Sequence, residues 1–153
     1  HSVCGLLPSD YRTPSLDYED LITLTAALTR DMREVEKVYR LAVFNILAHN
    51  RDDHSKNFSF LMDSQGIWRF APAYDLTFSS GPGGEQSTTI MGEGRSPELG
   101  HLHKLAEEAK ITKRAADDII EATRTSLATW PELARKFGVT PEHISIISQR
   151  IVA

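Results

Sequence analysis

Between positions 51 and 75 lie the residues of this chain best suited to chemistry on a phosphate. Arg51-Asp52 is followed, after four intervening residues, by Asn57, and Asp75 lies further downstream. Moving a phosphoryl group onto a hydroxyl needs a carboxylate to orient that hydroxyl and take its proton. It also needs hard oxygen ligands to hold magnesium beside the phosphates. Asp52 is suited to the first task. The Asn57 amide oxygen and the Asp75 carboxylate are suited to the second.

These residues can cooperate only if the chain folds back between them. Phe58, Phe60 and Met62 alternate with Asn57, Ser59 and Leu61, the period of a strand. Asp63-Ser64-Gln65-Gly66 supplies turn residues, and Ile67 to Ala71 reads as the return strand. With the turn centred between Ser64 and Gln65, Asn57 falls opposite about Pro72, and Asp75 lies three residues beyond. Asn57 and Asp75 are then expected at one end of the hairpin, near enough to share an ion.

The remaining elements read as helices. Leu16 to Thr29 forms one, capped by Ser15 or Asp17. Asp31 starts the next, with Glu34 completing a capping-box pattern. In that second helix Val35, Val38, Leu41, Ala42, Asn45 and Ile46 recur at helical spacing, which predicts a core helix. Residues 77–96 are rich in Gly, Ser and Pro, and predict a long loop of a kind often functional or mobile. Helices follow near Pro97 to Lys110, Lys113 to Trp130 (capped by Thr112), Pro131 to Phe137, and Pro141 to Ile151. Gly138 ends the third of these, and Thr140-Pro141 opens the last. The expected fold class is mainly α with one β-hairpin.

Composition bounds the function. The chain has 153 residues, 41% apolar and 25% charged, which is ordinary for a globular protein with a core. A net charge of −4 argues against broad nucleic-acid binding through clustered Lys and Arg. The single cysteine, Cys4, cannot form an internal disulfide and fits a reducing cytoplasm; it receives no role. No apolar run approaches the length of a membrane span. The chain opens at His1-Ser2 without Met, so it is expected to be a piece of a longer protein.

At the motif level the resemblance becomes specific. The spacing of Arg51-Asp52 and Asn57 is that of protein-kinase catalytic loops. Asp52-Asp53-His54-Ser55-Lys56-Asn57-Phe58-Ser59 is similar to the Asp-x-His-x-Lys-Asn-Phe-Ser signature of HipA kinases. Ala71-Pro72-Ala73-Tyr74-Asp75-Leu76 resembles their Pro-x-Tyr-Asp-Leu metal motif. His1-Ser2, Gly5-Leu6-Leu7, Pro14-Ser15-Leu16-Asp17-Tyr18-Glu19 and Gly92-Glu93-Gly94-Arg95 also look like HipA sequence.

The resemblance implies that residues 1–153 form a single domain, the C-terminal helical lobe of a kinase-like HipA fold, with the ATP-binding part lying N-terminal to it. It implies Asp52 as catalytic base, Asn57 and Asp75 as magnesium ligands, and Lys56 near the transferred phosphate. His54 would orient the loop by hydrogen bonds. It further implies ATP as substrate, Ser or Thr hydroxyls on a protein as acceptors, and translation factors such as aminoacyl-tRNA synthetases as candidate targets. The implied partner is a HipB-like DNA-binding antitoxin, with DNA reached only indirectly and no membrane. Asn50, His54 and Leu76 depart from standard eukaryotic kinases and suit a HipA relative better. The chain shows no Gly-rich phosphate loop opening a helix and no strand lysine, so little ATP affinity is expected of these residues alone.

Plainer readings compete. Asp53 is expected to be solvated, and Arg51 to pair with a carboxylate. Asp52-Asp53-His54 fits the opening of a metallophosphoesterase, with His101 and His103 available downstream. Ala134, Gly138 and Ile144, with Phe137, Val139 and Ile147 as core, have the spacing of a helix-turn-helix that could contact DNA or a partner protein. Its supposed recognition helix starts Pro141-Glu142-His143, an acidic beginning where phosphate contacts want Lys or Arg. Trp68 and Trp130 read as core or half-buried anchors. The charged runs 30–37 and 104–110 read as solvated helix faces.

Overall fold

Asp17 and Asp31 start the first two long helices of the chain. A computed structural model of the chain describes residues 1–6 and 16–151. Ser15, the alternative cap, and the motif residues Leu7 and Pro14 lie outside the described residues. Helix α1 is a single turn, Val3–Leu6, that the sequence did not announce. In α2, Tyr18–Thr29, the Asp17 side chain accepts from the Glu19 amide, and Asp20 reaches back to complete a capping box.

The capping box expected at α3, Met32–Leu47, does not form. Asp31 does cap, accepting from Arg33 N at 2.9 Å. Glu34 turns inward instead and is only 6% exposed, a departure from the solvated face expected of residues 30–37. Its carboxylate accepts from Phe70 N at 2.9 Å and from Lys37 Nζ at 2.7 Å. The core reading of α3 holds: Val35, Val38, Leu41, Ala42, Asn45 and Ile46 are all buried.

The hairpin pairs β1, Phe60–Met62, with antiparallel β2, Trp68–Phe70. Phe60 faces Phe70, Leu61 faces Arg69 and Met62 faces Trp68. That register is centred on Gln65, half a residue beyond the expected centre. Gly66, at φ 80°, takes the left-handed position that closes a three-residue loop. The Asp63 side chain accepts from Gln65 N and Ile67 N. Phe60 and Phe70 pack edge-to-face in the core with ring centres 5.4 Å apart, while Met62, at the loop end, is exposed. The far edge of β1 is covered by the chain start: Phe60 N donates to His1 O, and Val3 N donates to Phe58 O.

The helices after the loop are α4, Leu99–Glu108; α5, Lys113–Ala128; α6, Trp130–Lys136; and α7, Pro141–Ser148. Thr112 and Thr140 cap α5 and α7 as expected. Helices α2 to α5 bury one shared core around Tyr18, Leu21, Val38, Tyr39, Leu102 and Leu105. Helices α6 and α7 meet through Ala134 and Ile144, but Phe137, expected in that corner's core, is 75% exposed. Helix α6 ends at Lys136, and Phe137 caps it beside Gly138 at φ 77° with its side chain in solvent. No helix among the described residues is long and apolar enough to cross a membrane.

The outer edge of β2 depends on Glu34, because Phe70 N has no strand beside it. Glu34→Ala is expected to lower stability by about 1–3 kcal/mol, the cost of a buried amide left without its acceptor. Glu36→Ala, which removes only the surface pair with Arg40, should stay within roughly 0.5 kcal/mol. Urea unfolding of the two variants compares them directly.

Candidate active site

The way α3 ends aims the segment that carries Asp52. His49 adopts φ 57°, Asn50 N donates to Asn45 O at 2.9 Å, and His49 N donates to Ile46 O. This is a Schellman turn with histidine in the left-handed position usually given to glycine. Its imidazole stacks on Phe78, ring centres 5.4 Å apart. Burial, with Arg51 and Arg150 nearby, holds its pKa below the usual histidine range. The chain then runs beside the 77–96 segment: Ser79 N donates to His49 O, and Arg51 N to Ser79 O. Gly81 lies so close that a side chain there would overlap Glu85 O and come within 2.6 Å of Arg51 Cβ.

Among the described residues Arg51 pairs with no carboxylate, contrary to expectation. Its guanidinium donates to the carbonyls of Gly84 and Arg95, the latter at 3.2 Å, and so fastens the Gly-rich loop. Its own carbonyl accepts from Ser87 N and Ser87 Oγ.

Asp53 departs furthest from its expected place. It is 1% exposed rather than solvated. Its carboxylate accepts from Tyr18 Oη at 2.6 Å, Gln86 Nε2 at 3.1 Å and Thr88 N at 3.1 Å, and the Thr88 hydroxyl donates to its backbone carbonyl. Tyr18 accepts in turn from Asn45 Nδ2 at 2.9 Å, and Asn45 Oδ1 accepts from Asn50 Nδ2 at 3.0 Å. Burial pushes the Asp53 carboxyl up to about 6, against the opposing pull of its three donors. Burial first, then the Asp53 charge, hold Tyr18 well above the ordinary phenol value. Sequence reasoning missed this group because Gln86 and Thr88 stand more than thirty residues away. Three adjacent polar residues, Gln86-Ser87-Thr88, inside a loop were the available signal.

Asp52 is exposed, and none of the ion pairs among the described residues involves Asp52, Lys56 or Asp75. The loop that follows is folded on itself. Asn57 N donates to His54 O at 2.8 Å, and Lys56 N donates to His54 Nδ1 at 3.3 Å. Asn57 Nδ2 donates to Asp52 O at 2.9 Å, and among the described residues nothing donates to its amide oxygen.

With the register centred on Gln65, Asn57 stands opposite Ala73 rather than Pro72, and Asp75 lies two residues beyond. Ala71 N still donates to Ser59 O, extending the pairing toward that end. Tyr74 then ties the strands' outgoing chains together. Its hydroxyl donates to Lys56 O at 2.6 Å and lies 2.6 Å from Ser59 Oγ. Its single proton goes to Lys56, so Ser59 donates to it. Asp75, next in sequence, adopts φ 55°, a left-handed conformation that aspartate tolerates better than most residues.

Magnesium is a reasonable occupant of this end. The donors are an amide oxygen and an unpaired carboxylate, both hard, and magnesium takes one or two such protein ligands with phosphate and water completing the set. Among the described residues no three His, Cys, Asp or Glu side chains gather as a metal site. His101 and His103, the possible further ligands of a phosphoesterase, are used elsewhere. His101 Nδ1 accepts from Glu98 N at the start of α4, and His103 pairs with Asp117 at 2.8 Å.

With this geometry in hand, the comparisons with known proteins place the chain. The profile of the HipA-like C-terminal domain family matches residues 1–131, and the chain belongs to that family. A stretch of 47 residues is 47% identical to "Putative kinase Y4mE" of Sinorhizobium fredii (strain NBRC 101917 / NGR234), covering 31% of this chain and 11% of that protein. The fold is similar to a chain in the solved complex of Shewanella oneidensis MR-1 toxin–antitoxin HipA, HipB and operator DNA. The TM-score is 0.69 at 18% identity, covering 90% of this chain and 34% of that one. The chain therefore spans about a third of that HipA structure and about a tenth of the Sinorhizobium protein. The mainly helical, kinase-like fold with one hairpin stands on that likeness.

Asp53 makes stability depend on pH with a definite sign. Its folded-state pKa lies above the ordinary carboxyl value, so the folded chain binds this proton more tightly than the unfolded one. The linked stabilisation is full below about pH 4 and is lost as pH rises through about 6, by up to roughly 3 kcal/mol. Asp53→Asn should flatten that part of the profile, as read by urea unfolding between pH 4 and 7. A parent-like slope in the variant would assign it to another group.

Proposed function

We propose that this chain is the catalytic-loop and magnesium-holding part of an ATP-dependent serine/threonine protein kinase of HipA type. The observation that carries the reading is the Tyr74 tie: one hydroxyl joins the loop of Asp52 and Asn57 to the segment of Asp75. Membership in the HipA-like family and the kinase name of the Sinorhizobium relative support it.

In this reading Asp52 receives the substrate hydroxyl's hydrogen bond and takes its proton as the oxygen attacks the γ-phosphorus, the bond to the β,γ-bridging oxygen breaks and ADP leaves. Its exposure and lack of an internal partner leave it available for that contact. Asn57 and Asp75 hold magnesium, which when bound with ATP offsets the phosphates' charge. Lys56 places an unpaired ammonium beside the transferred group, where developing negative charge is stabilised. His54 keeps the loop turned through its ring nitrogen and its carbonyl.

The solved Shewanella complex contains HipA, HipB and operator DNA. A HipB-like antitoxin is the corresponding partner proposed here, with DNA reached through it. A translation factor such as an aminoacyl-tRNA synthetase is the proposed substrate, on family resemblance alone. Direct DNA binding by the C-terminal corner is not favoured, since Phe137 is exposed rather than packed and Glu142 opens the exposed start of α7.

In the full-length protein, Asp52→Asn should lower phosphoryl transfer by roughly 10²–10⁴-fold without unfolding the chain. Radiolabelled ATP with a Ser-containing acceptor reads this, and parent-like transfer would remove Asp52 as the base. Asp75→Ala should weaken nucleotide binding only when magnesium is present. Calorimetric titration with and without the metal tests that, and equal binding in both would reject the ligand role.

A further inference from the structure

Asp52 stands between two residues that are both tied to the 79–88 segment. On one side, the Arg51 backbone donates to Ser79 O and accepts from Ser87. On the other, Asp53 accepts from Gln86 and Thr88. Asp53 also terminates a closed ring of buried side chains. Asn50 donates to Asn45, Asn45 to Tyr18 and Tyr18 to Asp53. Gln86 donates to Asp53 and returns to Asn50 O at 3.3 Å. The Asn50, Asn45 and Tyr18 donors relay toward this one carboxylate, and Gln86 donates to it directly while also bonding the Asn50 backbone carbonyl. All five residues are buried. They come from α2, α3, the loop after α3 and the long loop, so the ring joins four parts of the chain at the residue beside Asp52.

We infer that Asp53 is a positioning residue, whose carboxylate holds the Asp52 peptide in register with the 85–88 segment and so fixes where Asp52 meets the acceptor hydroxyl. The inference rests on the kinase reading for its catalytic readout only. The chemistry requires two acceptor oxygens. Oδ1 serves Thr88 N, and Oδ2 serves both Tyr18 and Gln86. In an asparagine that keeps its oxygen on Thr88 N, the amide nitrogen faces the Gln86 donor and a tyrosine already accepting from Asn45. The ring then has more donors than acceptors, and the loop must shift to relieve it. Moving the carboxylate across the same hydrogen bond, with Asp53→Asn combined with Gln86→Glu, restores an acceptor for the asparagine amide.

The test uses the full-length protein as parent, Asp53→Asn, and the double variant Asp53→Asn/Gln86→Glu. Steady-state phosphorylation and amide hydrogen exchange are measured on each. A small misplacement of a reacting group costs rate rather than binding, so kcat should fall by about tenfold or more in the single variant. KM for ATP should change by less than about twofold, because Asn57 and Asp75 lie outside the ring. Amides 51–57 and 85–90 should exchange faster while α3 and the hairpin keep parental protection. The double variant should regain part of kcat and of the lost protection. Unchanged exchange in 51–57 and 85–90 overturns the inference, whatever happens to the rate. Loosening of the whole fold, with kcat and ATP affinity lost together and no recovery in the double variant, also overturns it, since Asp53 would then be only structural. If the parent itself transfers no phosphate, the kinase reading fails, and the exchange arm alone decides whether Asp53 orders the loop.

Discussion

An antiparallel ribbon of three residue pairs limits how far apart two loops of this chain can lie. Once Phe60 faces Phe70, with Gln65 at the turn, the chain before β1 and the chain after β2 must leave at one end. Asn57 belongs to the first and Asp75 to the second. Buried rings on both strands hold the register, because a slip by one residue would carry Phe60 or Phe70 out of the core. The Tyr74 hydroxyl then bonds Lys56 and Ser59, closing the open end of the ribbon from which the Asn57 and Asp75 segments leave.

A ribbon alone does not place Asp52, which precedes it by several residues. The second constraint comes from the ending of α3 and from the long loop that runs beside it. The Schellman turn at His49 delivers the chain to Arg51, and Gly81 permits the close approach that Arg51 and Ser87 exploit. Asp17 plays a matching part at the loop's far end, accepting from Thr89, Met91 and Gly92 while also capping α2. The Gly-rich stretch is therefore an ordered strap beside the loop that carries Asp52, held by His49 and Arg51 at its start and by the Asp53 and Asp17 carboxylates further along. Asp52, Lys56 and Asp75 stay exposed, and none of the ion pairs among the described residues uses them.

Local physics made much of this legible in the sequence. The α3 core face, the Asp31, Thr112 and Thr140 caps and the existence of the hairpin each follow from spacing within one element. The motif that sets Asp52, Asn57 and Asp75 apart rests instead on spacing across the hairpin and on the family resemblance. The misreadings share one cause. Glu34 had a good local partner in a capping box and took a distant one, because the Phe70 amide at the sheet edge had no other acceptor. Sequence spacing alone predicts a solvated Asp53, since its three donors lie in α2 and in a loop more than thirty residues away. Arg51 was expected to find a carboxylate and found carbonyls of a loop whose path spacing does not encode. The turn centre moved by half a residue because Gly66 could take a left-handed conformation and lengthen the loop by one. Phe137, apolar and correctly spaced for a helical corner, projects into solvent because α6 stops one residue before it.

The central claim is that Asn57 and Asp75 meet at one cation beside Asp52. The most direct measurement replaces magnesium with manganese in the full-length protein, with a non-hydrolysable ATP analogue present, and records paramagnetic broadening of the backbone amide signals. The account predicts that the amides of Asn57 and Asp75 broaden first, followed by Asp52, and that those of α6 and α7 stay sharp. Sharp signals at both Asn57 and Asp75, with broadening elsewhere in the chain, would contradict it.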